Sequence, residues 1–86
     1  MHDHHQIRDA LIGLAGRLGI SVREAPLGGD GGGLCTIKGD RVLYFDRMSD
    51  VVTQVEKALA DLAQLSEIDT VFVEPWLREA LDRHRD

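Results

Sequence analysis

Leu34-Cys35-Thr36-Ile37-Lys38-Gly39-Asp40-Arg41-Val42-Leu43-Tyr44-Phe45 is the stretch on which the fold turns. Two runs of mostly apolar, strand-forming residues, 34–38 and 41–45, flank the two-residue loop Gly39-Asp40, which reads as a β-hairpin with a type I′ or II′ turn. That loop pairs Thr36 with Leu43 and Cys35 with Tyr44. Directly opposed residues share a face, so one face carries Leu34, Thr36, Leu43 and Phe45, and the other carries Cys35, Ile37, Val42 and Tyr44. Both faces are apolar, so each asks for a cover.

On the N-terminal side, residues 20–25 alternate, with Ile20 and Val22 on one side and Ser21 and Arg23 on the other, as in a half-buried strand ended by Pro26. Residues 28–33, Gly-Gly-Asp-Gly-Gly-Gly, follow as a flexible connector without an apolar anchor. Further upstream, Ile7, Leu11, Leu14, Ala15 and Leu18 repeat on one helix face, with Asp3 as N-cap and Gly19 as the left-handed stop. Gly13 and Gly16 each weaken that helix by roughly 1 kcal/mol relative to Ala; they mark a close backbone approach or are simply tolerated.

On the C-terminal side, Ser49 as N-cap and Asp50 as a first-turn acid open a second helix running to about Leu65, with Val51 or Val52, Val55, Leu59, Leu62 and Leu65 on its core face. Residues 68–73, β-branched and aromatic, read as a fourth strand at a sheet edge. Pro75 suits the first turn of a last helix from Trp76 to about His84. The expected fold is a single α+β domain over residues 1–86. Its order is αβββαβα, with a small, mainly antiparallel sheet packed by two or three helices and residues 1–5 frayed.

Composition agrees with one small globular domain. Of 86 residues, 43% are hydrophobic and 29% charged, enough for one core and no more. A chain this short buries only about 60 to 65% of the surface it exposes when unfolded, so association would help it. The formal net charge of −5, with basic residues scattered, works against nucleic acid or an anionic membrane as partner. No apolar run approaches the ~20 residues of a membrane span, and the N-terminus lacks the pattern of a secretion signal. The one cysteine forms no internal disulfide, which fits a cytoplasmic setting.

The chemistry-bearing residues are few. Cys35 is the only thiol; a reactive thiolate wants an electropositive setting, whereas a cysteine inside a strand is expected as a packed core residue. The glycines of 28–33 run into a strand rather than a helix, unlike a phosphate loop. His2, His4 and His5 with Asp3 could capture a metal adventitiously, but no dedicated metal site is expected. H-E-x-x-H, C-x-x-C and G-x-S-x-G are absent, no catalytic residue is singled out and no cofactor is implied. Asp46 ends the third strand just ahead of a helix, where it would cap that helix or project into a site. Trp76 could anchor a partner, although packing of the last helix onto the sheet explains it more simply.

Gly32-Gly33-Leu34-Cys35, Lys38-Gly39 and Phe45-Asp46 resemble a set of small bacterial proteins that share a G-G-L-C strand, a hairpin and a following helix and have no assigned activity. The resemblance covers the central half of the chain and implies a shared fold only. The strand-then-helix order also looks like the start of compact zinc peptidases. The second helix, however, reads Ala58-Leu59-Ala60-Asp61-Leu62-Ala63 where that motif needs two His and a Glu.

The reading that follows is a non-enzymatic interaction module that self-associates, as a homodimer or with another protein, through Cys35, Ile37, Val42, Tyr44 and Trp76. The alternative is a small-ligand or thiol-dependent site beneath the glycine loop, built from Gly31, Gly32, Cys35, Tyr44 and Asp46.

Overall fold

The computed structural model describes residues 1–85 and is an α+β domain. Its elements are α1 (His4–Arg17), β1 (Ser21–Ala25), β2 (Gly32–Ile37), β3 (Asp40–Asp46), α2 (Val51–Ala63), a 3₁₀ turn (Ser66–Thr70) and α3 (Pro75–Asp82). Helix starts follow local chemistry. Asp3 accepts from the Gln6 N–H while the Gln6 side chain accepts from the Asp3 N–H, closing a capping box, and Asp50 accepts from the Thr53 N–H at the start of α2. His4 and His5 therefore lie within α1. Gly19, at φ 72°, turns the chain out of α1.

The sheet has the order β1-β3-β2 and is mixed rather than mainly antiparallel: β3 sits in the centre, antiparallel to β2 and parallel to β1. The hairpin is present with a different turn. Lys38 and Gly39, at φ 53° and 86°, form the two-residue loop, the pair of positive φ angles of a type I′ turn. Asp40 then belongs to β3, and Cys35 faces Val42 while Thr36 faces Arg41. This register lies two residues from the one expected. Because side chains alternate with period two, the residues assigned to each face are unchanged.

One face of the sheet supplies the core. Leu43 and Phe45 are fully buried there, with Val22 and Leu34 half-buried beside them, against Leu11, Leu14 and Ala15 of α1 and Val55, Leu59 and Leu62 of α2. Helix α3 packs on α2 rather than on the sheet and adds Leu77, Ala80 and Leu81 to the same core.

The fourth strand expected over 68–73 does not form. Ile68 is fully buried within the 3₁₀ turn, and the backbone finds its partners locally and from arginines. The Thr70 hydroxyl donates to the Glu67 carbonyl, Arg78 donates to the Ile68 carbonyl and Arg17 to that of Phe72. These side chains meet the demand that a neighbouring strand would otherwise meet.

The glycines divide into two kinds. Gly16 is exposed and an added Cβ would meet nothing within 4 Å, so no backbone packs there. Gly32 has φ 102°, and its Cβ would lie 2.1 Å from the Tyr44 carbonyl oxygen. Gly32→Ala is therefore expected to cost at least about 2 kcal/mol. Gly16→Ala should instead add about 0.5 to 1 kcal/mol by removing helix-interior glycine. Urea unfolding of the two variants beside the parent measures both signs.

Candidate functional site

Two places emerge from the fold, one at the end of the central strand and one on the sheet face opposite the helices. At the first, β1 must reach β2 by passing over the C-terminal end of β3, because β3 later inserts between them. Residues 26–31 make that crossing outside any ladder, so their N–H groups need an acceptor. Asp46, fully buried at the end of β3, provides it. Its Oδ1 accepts from the N–H groups of Leu27 and Met48 at 2.8 and 2.9 Å, and its Oδ2 from Gly29 at 2.5 Å and the Ser49 hydroxyl at 3.4 Å. Gly31 donates in turn to Ser49 Oγ, and Gln54 of α2 donates to the Asp46 carbonyl while accepting from Arg8 of α1.

The stretch read as a flexible connector is thus fastened by a carboxylate instead of an apolar anchor, and Gly32 and Gly33 belong to β2. Burial alone would raise the Asp46 pKa. The N–H groups of Leu27, Met48, Gly29 and Asp30 outweigh that and hold it at about 2, against an ordinary 3.8.

This geometry gives the loop-and-thiol site no support. Both Asp46 oxygens are occupied by the loop, and an added Cβ at Gly31 would already press on Thr53 and Lys57 of α2. Cys35 is paired with Val42, four residues along β3 from Asp46, a separation of about 13 Å.

The second place is the other sheet face. There β1 presents Ser21 and Arg23, β3 presents Asp40, Val42 and Tyr44, and β2 presents Cys35 and Ile37. The helices all pack on the core side, so this face carries no cover. Val42, in the middle, is 5% exposed, whereas Ile37 is 44% exposed and Cys35 is exposed, not the packed core residue its strand setting suggested. Arg23, Lys38 and Asp40 make no ion pair among the described residues, while Arg41 reaches Glu67 at 2.6 Å. A shallow recess of about 300 Å³ lies between Arg23, Lys38, Arg41 and Tyr44.

The structure brings Cys35, Ile37, Val42 and Tyr44 together and leaves Trp76 out. Trp76 is half-buried on α3, packs against the core and stacks on the His2 ring, centroids 3.7 Å apart. Among the described residues no three His, Cys, Asp or Glu side chains come together as a metal site. No helix among the described residues is long and apolar enough to cross a membrane. Ser21, Arg23 and Asp40 were not singled out from the sequence. The alternation of 20–25 already placed Ser21 and Arg23 opposite the core side, but only the parallel pairing of β1 with β3 brings them beside Val42 and Tyr44. Comparison with protein-family models, curated proteins and solved structures returns no match for this chain.

Since the Asp46 pKa is lowered on folding, its ionised form stabilises the fold fully above the unfolded value near 3.8, and that contribution is lost as pH falls through about 2. Asp46→Asn is expected to lower the urea midpoint at neutral pH. It should also flatten the pH dependence of stability between pH 4 and 2, which urea titrations across that range would measure.

Proposed function

We propose that the chain is a small non-enzymatic interaction module whose open sheet face docks on the same face of a second copy. The observation that carries this reading is the helix-free sheet face on which Ile37 and Cys35 are exposed beside the half-buried Tyr44, on a sheet whose other face is used by the core. Apolar surface left open in this way marks an interface, and a domain of this size gains from covering it.

The distribution of charge favours a second copy as the occupant. Arg23 is in register with Tyr44, and Asp40 lies four residues from Tyr44 along β3, about 13 Å away, with Val42 midway. A twofold axis lying in the contact plane and crossing the strands at Val42 sets the exposed Ile37 and Cys35 of each copy against the same face of the other. It also brings each Asp40 beside the other copy's Tyr44 and Arg23. Two unpaired charges of opposite sign are then matched by the symmetry of an isologous contact. A reducing, cytoplasmic compartment suits a free thiol on this face.

The face is about 14 Å wide and 17 Å long, roughly 240 Å² per copy, so the contact buries on the order of 500 Å² over both copies, below the standard size of a specific interface. The expected dimer is weak and concentration-dependent, with Kd in the range of roughly 10–100 µM.

Light scattering should show the mass rising from the 9.5 kDa of one chain toward twice that as concentration increases. Arg23→Glu and Asp40→Arg should each hold the protein at the monomer mass, and the double variant should recover the dimer. A monomer at every concentration up to millimolar would reject the reading. In the dimer Cys35 is covered, so labelling by a thiol reagent should slow as protein concentration rises and should not slow in the Ile37→Asp variant.

A further inference from the structure

The C-terminal end of α3 is tied to α2 by a histidine whose two ring nitrogens both face acceptors. His84, in the turn that follows α3, has Nδ1 2.9 Å from the Ala80 carbonyl oxygen in the last turn of α3 and Nε2 2.8 Å from Glu56 Oε2 on α2. A neutral imidazole has one N–H and one lone pair, so it can satisfy only one of these partners and must turn a lone pair on the other. The imidazolium satisfies both. The ring is 24% exposed, enough to exchange protons with solvent while the contact persists. Among the described residues the charges acting on it are Glu56 from α2, which favours the proton, and Arg83 from its own segment, which opposes it.

We propose that His84 is a proton-dependent latch, fastening the end of α3 to α2 while its ring carries two protons and releasing Glu56 when it carries one. The neighbouring ties are of a different kind. Gln64 donates to the His84 carbonyl, and Arg85 donates to the Ala63 carbonyl and to Asp69. These donors are an amide and a guanidinium and hold whichever proton state the histidine is in, so the latch releases one contact without unfolding the helix.

The Ala80 carbonyl first, and then Glu56, raise the His84 pKa above 6.5 despite the opposing effect of burial. The sign follows: the stabilisation is complete below about pH 6.5 and is lost as pH rises through the folded value.

The test is nitrogen-detected NMR of the imidazole across pH 5 to 9, with amide hydrogen exchange of residues 80–85 corrected for intrinsic rates. Both ring nitrogens should remain protonated beyond the midpoint of a free histidine, and protection of 80–85 should fall several-fold as the ring titrates. Glu56→Gln, a change at an exposed position, should lower the midpoint and flatten that change in protection. An unaltered midpoint in Glu56→Gln, or protection that stays constant through the titration, would overturn the latch.

Discussion

The buried carboxylate of Asp46 is the interaction on which the rest of the structure depends. The strand order β1-β3-β2 obliges the chain to pass over the end of a strand not yet laid down, and the crossing peptide has no ladder to join. A single side chain with two oxygens, placed where β3 ends, accepts from both the crossing loop and the turn into α2. Gln54 then ties the same point to α2 and, through Arg8, to α1. Arg8 also lies over the Phe45 ring at 4.5 Å and pairs with Glu24, so polar and apolar layers meet at one corner. A charge buried this fully is tolerable because hydrogen bonds replace its lost hydration.

From that corner follows the asymmetry of the molecule. Helix α2 leaves the end of β3 and lies over β2, close enough for Asp61 to accept from the outward N–H of Leu34 at 2.8 Å. Gly33 permits this approach, since a Cβ there would stand 2.7 Å from Asp61 Oδ2. With α1 over β1 and α2 over β2, the helices are committed to one side. The glycine run is therefore a packing device as much as a turn, allowing helix and strand to meet backbone to side chain.

What was legible in the chain, and what was not, separates by the range of the interaction involved. Asp3 and Gly19 act within a turn of themselves, and the ends of α1 they mark are where the sequence places them, whereas the cap of α2 is Asp50, one residue after the Ser49 expected. The period-two alternation of 34–45 assigns residues to faces correctly even though the register differs by two, because a shift of two preserves the alternation. The segment 68–73 misleads because its β-branched composition speaks only to local preference. Arg17 and Arg78, distant in sequence or on the next helix, answer its backbone instead. Asp46 was visible as an unusual acid between a strand and a helix. Its role was not, since the donors it serves come from a loop nearly twenty residues upstream.

The sequence by itself determined the α+β class, the hairpin, the caps of α1 and the two apolar faces, because each depends on neighbours a few residues apart. Only the tertiary structure decided which hairpin face the helices cover, that β1 lies parallel to β3, that Cys35 is exposed and that Trp76 stacks on His2. Those outcomes follow from where the chain crosses the sheet and on which side α1 and α2 return. That is set by contacts summed over the whole molecule and is not encoded in the periodicity of any one segment.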